Sequence, residues 1–141
     1  MELSVNEFLD SVVNARARSA DNLLNRRGHK SRTERESEKM KKILQINLKF
    51  KVTRPELEKA FLEVAQPVAD VKGLLWKVWL MNEAEKSAGG IYLFKDDASV
   101  EAYLKGKIVE GIMTHPALSN VEAKVFDILP EHTKITRGPV D

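Results

Sequence analysis

Residues Ile43 to Val52 alternate strictly: Leu44, Ile46, Leu48, Phe50 and Val52 point one way, while Gln45, Asn47, Lys49 and Lys51 point the other. Such a period of two predicts a strand with one apolar face. The segment Thr53-Arg54-Pro55-Glu56 then has the form of a helix start: Thr53 can cap, Glu56 stands three residues on as its capping-box partner, and Pro55 suits the first turn. Leu57, Phe61, Leu62, Val64 and Ala65 follow at helical spacing. Pro67 is expected to kink this helix, which should end by about Val71, before Gly73. Leu74 to Met81 is aromatic and β-branched and predicts a second strand, apolar on both faces except for Lys77. A polar connector, Asn82 to Ser87, leads into a third strand from Gly89 to Phe94. Asp96 and Asp97 offer a cap for a second helix with the stripe Val100, Tyr103, Leu104 and Ile108, weakened at Gly106 and ended by Gly111. After an irregular link at Thr114-His115-Pro116, Val121 to Leu129 predicts the last strand, which Pro130 stops.

The order β-α-β-β-α-β is that of a ferredoxin-like α+β sandwich. Two helices cover only one face of a four-stranded sheet. Because the second and third strands are apolar on both faces, the uncovered face is expected to pack on the sheet of a second copy.

The chain divides at Met40. Residues 1–39 begin with a short amphipathic stretch and continue as NARARSADNLLNRRGHKSRTERESEK, where only Leu23 and Leu24 are large and apolar. This composition offsets little ordering entropy and predicts a flexible N-terminal extension. It is either an over-long start ahead of a true initiator at Met40, or an arm whose Arg16, Arg18, Arg26 and Arg27 meet an acidic partner; the interleaved acidic residues favour the first. The domain is expected over residues 40–130, with an extended or mobile tail over 131–141.

Composition narrows the chemistry. The 141 residues suffice for one domain, and a formal net charge of +2 supplies no broad basic field for nucleic acid. With no cysteine, disulfides, zinc-thiolate sites, iron-sulfur clusters and thiol nucleophiles are excluded. No apolar run approaches the ~20 residues of a membrane span and no secretory pattern opens the chain, so no membrane partner and a cytoplasmic location are expected. His29, His115 and His132 fall in tail, loop and terminus without carboxylates at ligand spacing, so no metal site is expected. Gly89-Gly90 precedes a strand rather than a helix and lacks the geometry of a phosphate loop.

Three segments, Gly73-Leu-Leu-Trp-Lys-Val-Trp79, Ala88-Gly-Gly-Ile-Tyr-Leu-Phe94 and Val121-Glu-Ala-Lys-Val-Phe-Asp127, together with Ala102-Tyr103-Leu104, resemble the YdhR-type monooxygenases of the dimeric α/β-barrel group. The resemblance spans nearly all of Met40 to about Leu129 and is weakest from Gly106 to Asn120. It implies a homodimer whose two sheets form a barrel, with a ligand cavity between each sheet and its helices. It also implies oxidation of a small aromatic or quinol-like compound by O2 without a tightly bound cofactor. In such chemistry the protein supplies a dry pocket, orientation and a group that takes or holds a proton. The candidate catalytic residues are Trp79, Lys77 and Tyr92; the candidate substrate-binding residues are Trp76, Asn47, Gln45, Phe94 and Tyr103. Alternation sets Trp76 on one face of its strand and Lys77 with Trp79 on the other, so they do not all line one cavity within a subunit. If Gln45 and Asn47 face the second sheet, they belong to the dimer interior.

Each candidate has a plainer reading. Trp76 and Trp79 are more often core or interface anchors than catalysts. Tyr92 reads as a packed ring with its hydroxyl at a rim, and Lys77 as a structural lysine paired with Glu122 or Asp127. Two other functions remain open on the sequence: a non-catalytic dimer that binds a small apolar molecule or serves in stress, and a haem-binding relative, the latter disfavoured because no histidine falls on a cavity-lining helix.

Overall fold

A computed structural model describes residues 40–140 of the protein, and the two readings of residues 1–39 lie outside that range. Eight elements follow in order: β1 (Lys42–Phe50), α1 (Arg54–Ala69), β2 (Leu74–Asn82), β3 (Ser87–Phe94), α2 (Asp97–Leu104), α3 (Lys107–Thr114), β4 (Leu118–Asp127) and α4 (Pro130–Ile135). The strands form one antiparallel sheet in the order β2-β3-β1-β4, the arrangement of a ferredoxin-like α+β sandwich.

Alternation on β1 separates the two faces of the sheet as the pattern requires. Leu44, Ile46, Leu48 and Phe50 are buried beneath the helices. They stand beside Tyr92, Gly90 and Ala88 of β3 and beside Val125 and Ala123 of β4. The main core is Leu44, Ile46, Tyr92 and Phe94 closed over by Val68 of α1, by Val100, Tyr103 and Leu104 of α2 and by Val109 of α3.

The start of α1 carries the reciprocal capping box. The Thr53 hydroxyl accepts from the Glu56 N–H at 3.3 Å, and the Glu56 carboxylate accepts from the Thr53 N–H at 3.4 Å. Pro67 lies in the last turn of α1, which ends two residues later at Ala69 with Asp70 as its cap. Having no N–H, Pro67 cannot donate to the carbonyl four residues back, so it removes one bond of the helix ladder just before the helix ends. Gly73, at φ +90°, makes the turn into β2; a β-carbon there would lie 2.1 Å from the Ser99 hydroxyl oxygen.

Two expected elements differ. The single helix from Asp97 to Gly111 is two, because the chain leaves the helix at Lys105 and restarts with Gly106 as the cap of α3. Gly111 lies inside α3 rather than ending it. The segment after Pro130, expected to be extended or mobile, turns into α4 and returns to β2, where the Trp76 indole N–H donates to the Pro139 carbonyl at 2.8 Å. The Lys41 ammonium donates to the Val140 carbonyl at the same distance.

Candidate functional site

Between the helix-covered face of the sheet and helices α1 and α3 lies a cavity of about 400 Å³. Ile46 and Leu48 of β1, Phe61 and Val64 of α1, and Ile108 and Ile112 of α3 give it apolar walls. On the sheet side it is lined by Lys77 and Trp79 of β2 and Tyr92 of β3. Glu56, Lys107 and His115 are the other charged or titratable side chains around it. A neighbouring hollow of about 420 Å³, between α1 and β2 and lined by Arg54, Glu58, Leu62, Trp79 and Met81, opens broadly to solvent.

Strand register explains why these three sheet residues meet. Lys77 lies opposite Tyr92, and Trp79 opposite Gly90, so all point toward the helices. A register shift between Leu74 and Trp76 returns the Leu74 side chain to the same side. Gly90 makes room for the lysine: a β-carbon there would lie 2.5 Å from Lys77 Cε. The Lys77 stem therefore crosses β3 where β3 has no side chain.

The Lys77 ammonium nitrogen lies 3.2 Å from the centre of the Trp79 ring and 4.4 Å from that of Tyr92. The expected carboxylate partners are elsewhere. Asp127 pairs with Lys42 at the start of β1, and Glu122, opposite Asn47, projects from the uncovered face. Among the described residues no carboxylate lies within 4.0 Å of Lys77. Burial without a counter-ion pushes its pKa down to about 7. The ring faces act the other way, since a cation over an aromatic ring gains about 0.5–2 kcal/mol. The amine still titrates far below an ordinary lysine.

Behind the cavity wall, the Tyr103 hydroxyl of α2 donates to the Tyr92 hydroxyl oxygen at 3.0 Å. With that oxygen engaged, the Tyr92 proton is free to be donated toward the cavity. Burial pushes the Tyr92 phenol up and likewise raises Tyr103. Tyr92 is a persistent proton-bearing donor. Phe61 tilts against Trp79 with ring centres 5.0 Å apart, fixing the indole from the α1 side.

The other sequence candidates fall into two groups. Phe94 and Tyr103 are buried behind Tyr92, with ring centres 6.0 Å and 5.2 Å from it, and back the cavity rather than line it. Trp76, Gln45 and Asn47 are on the opposite face of the sheet. There Gln45 donates to Asn47 at 3.3 Å, and none of the three reaches the cavity. The residues that sequence reasoning missed come from α3 and its exit: Lys107, Ile108, Gly111, Ile112 and His115. The apolar i, i+4 pair Ile108–Ile112 beside a glycine inside a helix was the available signal. A β-carbon on Gly111, an exposed residue at the cavity's edge, would meet no atom within 4 Å. His115 keeps its expected turn role, its Nδ1 accepting from the Ala117 N–H at 3.1 Å, while also lining the cavity. Among the described residues no group of three or more His, Cys, Asp or Glu side chains is placed to hold a metal ion, and no helix is long and apolar enough to cross a membrane.

Solved structures share this architecture. A protein of unknown function from Nitrosomonas europaea, NE2512, is 24% identical, with a TM-score of 0.53 over 65% of this chain and 92% of its own. SnoaB, a cofactor-independent oxygenase from Streptomyces nogalater, is 18% identical, with a TM-score of 0.52 over 64% and 98%. A putative antibiotic biosynthesis monooxygenase from Caulobacter crescentus is 18% identical, with a TM-score of 0.54 over 70% and 99%. At these identities the likeness speaks for the fold. No curated protein matches the chain. The family model described as "Putative mono-oxygenase ydhR" matches residues 43–139, most of the chain, and the protein belongs to that family.

Proposed function

We propose that the cavity beneath α1 and α3 binds a small phenolic or quinol-like compound and oxidises it with O2, without a tightly bound cofactor. Family membership and an oxygenase among the structural neighbours support a monooxygenase-like role. The observation that carries the finer reading is the placement of Lys77 in an apolar cavity, without a carboxylate partner, against the faces of Trp79 and Tyr92.

The aromatic substrate stacks on Trp79 between the apolar walls. The neutral Lys77 amine takes a proton from its hydroxyl or activated ring carbon, and the ammonium so formed holds the resulting anion. That anion supplies electrons to O2 directly. One oxygen atom bonds to the oxidisable ring carbon, and the hydroperoxide loses water as the carbonyl forms. A ring methylene plus O2 thereby becomes a ring carbonyl plus water, with every electron drawn from the substrate. Tyr92, kept protonated, donates a hydrogen bond to a substrate oxygen, and Tyr103 orients that hydroxyl. The dry walls strengthen each of these interactions.

The uncovered face of the sheet closes a homodimer in this reading. Val78 and Phe126 are about half exposed there, flanked by Leu80 and Ile91, and Gln45 and Asn47 supply polar contacts at its centre. Trp76 is a packing anchor for the returning chain end rather than a substrate ligand.

Oxygen uptake with a panel of phenols and hydroquinones tests the reaction. Uptake above the autoxidation blank that is lost in Lys77→Met supports it. Saturable binding of the same compounds with no uptake makes the cavity a binding module.

A further inference from the structure

We infer that Lys77 is a carbonyl-reactive amine, and that the cavity captures small apolar aldehydes and ketones as imines on its Nζ. The inference does not depend on oxygenation.

Three observations carry it. The amine opens into a cavity of about 400 Å³ whose walls are apolar on three sides. It is held by ring faces alone, 3.2 Å from the Trp79 centre and 4.4 Å from that of Tyr92, with no carboxylate within 4.0 Å among the described residues to keep it charged. Beside it, Tyr92 carries a phenol whose oxygen is engaged by Tyr103 and whose proton is available to a carbonyl oxygen. A nucleophilic neutral amine, a neutral acid and a pocket with apolar walls are components that favour imine formation. The other titratable side chains lining the cavity are Glu56 from α1, Lys107 from α3 and His115 just after it. Gly90 is part of the device, because any side chain there would displace the lysine stem.

The step balances without an oxidant. The nitrogen lone pair attacks the carbonyl carbon and forms the C–N bond. A proton passes from nitrogen to oxygen, and the resulting carbinolamine expels that oxygen as water, leaving the C=N bond. Aldehyde and amine become imine and water. Tyr92 donates to the departing oxygen and recovers a proton from the nitrogen.

Burial lowers the Lys77 pKa to about 7, and the ring faces return part of the shift. Near neutral pH its free-amine fraction exceeds that of an ordinary lysine by about 10²-fold to about 10³-fold.

The test uses the full chain with benzaldehyde as the probe, under nitrogen, with sodium cyanoborohydride to fix each imine as a stable secondary amine. Peptide mapping by mass spectrometry then gives a labelling rate for every lysine. Lys77 is expected to label at least about tenfold faster than the median lysine near neutral pH. Its rate advantage should shrink in Gly90→Ala and with glyoxylate, whose carboxylate resists entry into the apolar cavity. Equal labelling of all lysines overturns the proposal. So does an unlabelled Lys77 while benzaldehyde quenches tryptophan fluorescence in the wild type but not in Trp79→Phe. The labelling rates that decide the test are read on the wild-type protein, where an unlabelled Lys77 alone overturns the proposal, so it stands even if a variant folds poorly. Labelling at Lys77 without oxygen uptake on phenols would retain this inference and remove the oxygenase reading.

Discussion

Replacing Lys77 by methionine should make the protein more stable near neutral pH. In the unfolded chain the amine has an ordinary pKa near 10.4, whereas burial holds it at about 7 in the folded state. Because the folded-state value is the lower one, the unfolded chain binds more protons between the two. The cost of burying the amine is fully present below about 7 and is relieved as the pH rises toward the unfolded value. A shift from 10.5 to about 7 corresponds to roughly 5 kcal/mol, from which the ring faces of Trp79 and Tyr92 remove about 0.5–2 kcal/mol. Methionine keeps an unbranched chain of similar length and favours aromatic contacts, so little packing is lost. The expected gain is about 2–4 kcal/mol near neutral pH, shrinking by up to about 1.4 kcal/mol per pH unit above that. Urea denaturation of both proteins from mildly acidic to mildly alkaline pH measures it. A variant less stable than wild type at neutral pH, or a difference that does not change with pH, would refute the reasoning. Either outcome would mean that the amine is solvated or paired, and the base role of Lys77 would go with it.

Other expectations follow from the same geometry. Gly111→Ala should stabilise the fold by about 0.5–1 kcal/mol in thermal melts, since its new methyl enters open space and improves α3. Gly111→Phe should project a ring into the cavity and weaken binding of phenols by at least about tenfold, measured by calorimetry, while leaving the fold intact. Val78→Asp, on the uncovered face, should convert the proposed dimer to a monomer in analytical ultracentrifugation, and an unchanged sedimentation coefficient would count against the sheet-to-sheet arrangement.

Much of the architecture can be read along the chain because it rests on local rules. The period of two in β1, the Thr53–Glu56 capping box and the two-sided apolarity of β2 each specify an element without tertiary context. Alternation also separates Trp76 from Lys77 and Trp79. It does not tell which face meets the helices, and for that reason Gln45 and Asn47 stood as candidate ligands although they sit across the sheet from the cavity. The break at Gly106 depends on how α2 and α3 each pack on the sheet, a tertiary preference that overrides a continuous helical stripe. The contribution of α3 to the cavity was hidden for the same reason: Lys107, Gly111 and His115 acquire meaning only once the helix is placed against β4 at the side of the cavity. Lys77 stood out as a lone charge in an apolar strand, but its neighbours did not. Asp127 is drawn to Lys42 by strand register, and the space for the lysine comes from Gly90 on the adjacent strand.

In the proposed function, the cavity lined by Lys77, Trp79 and Tyr92 carries out oxygenation by O2. Turnover of a phenolic substrate under isotopically labelled dioxygen, followed by mass spectrometry of product and water, tests it most directly. The expected result is one labelled oxygen atom in the product and one in water, both lost in Lys77→Met. Label found in neither, or product formed equally well by Lys77→Met, would contradict the assignment.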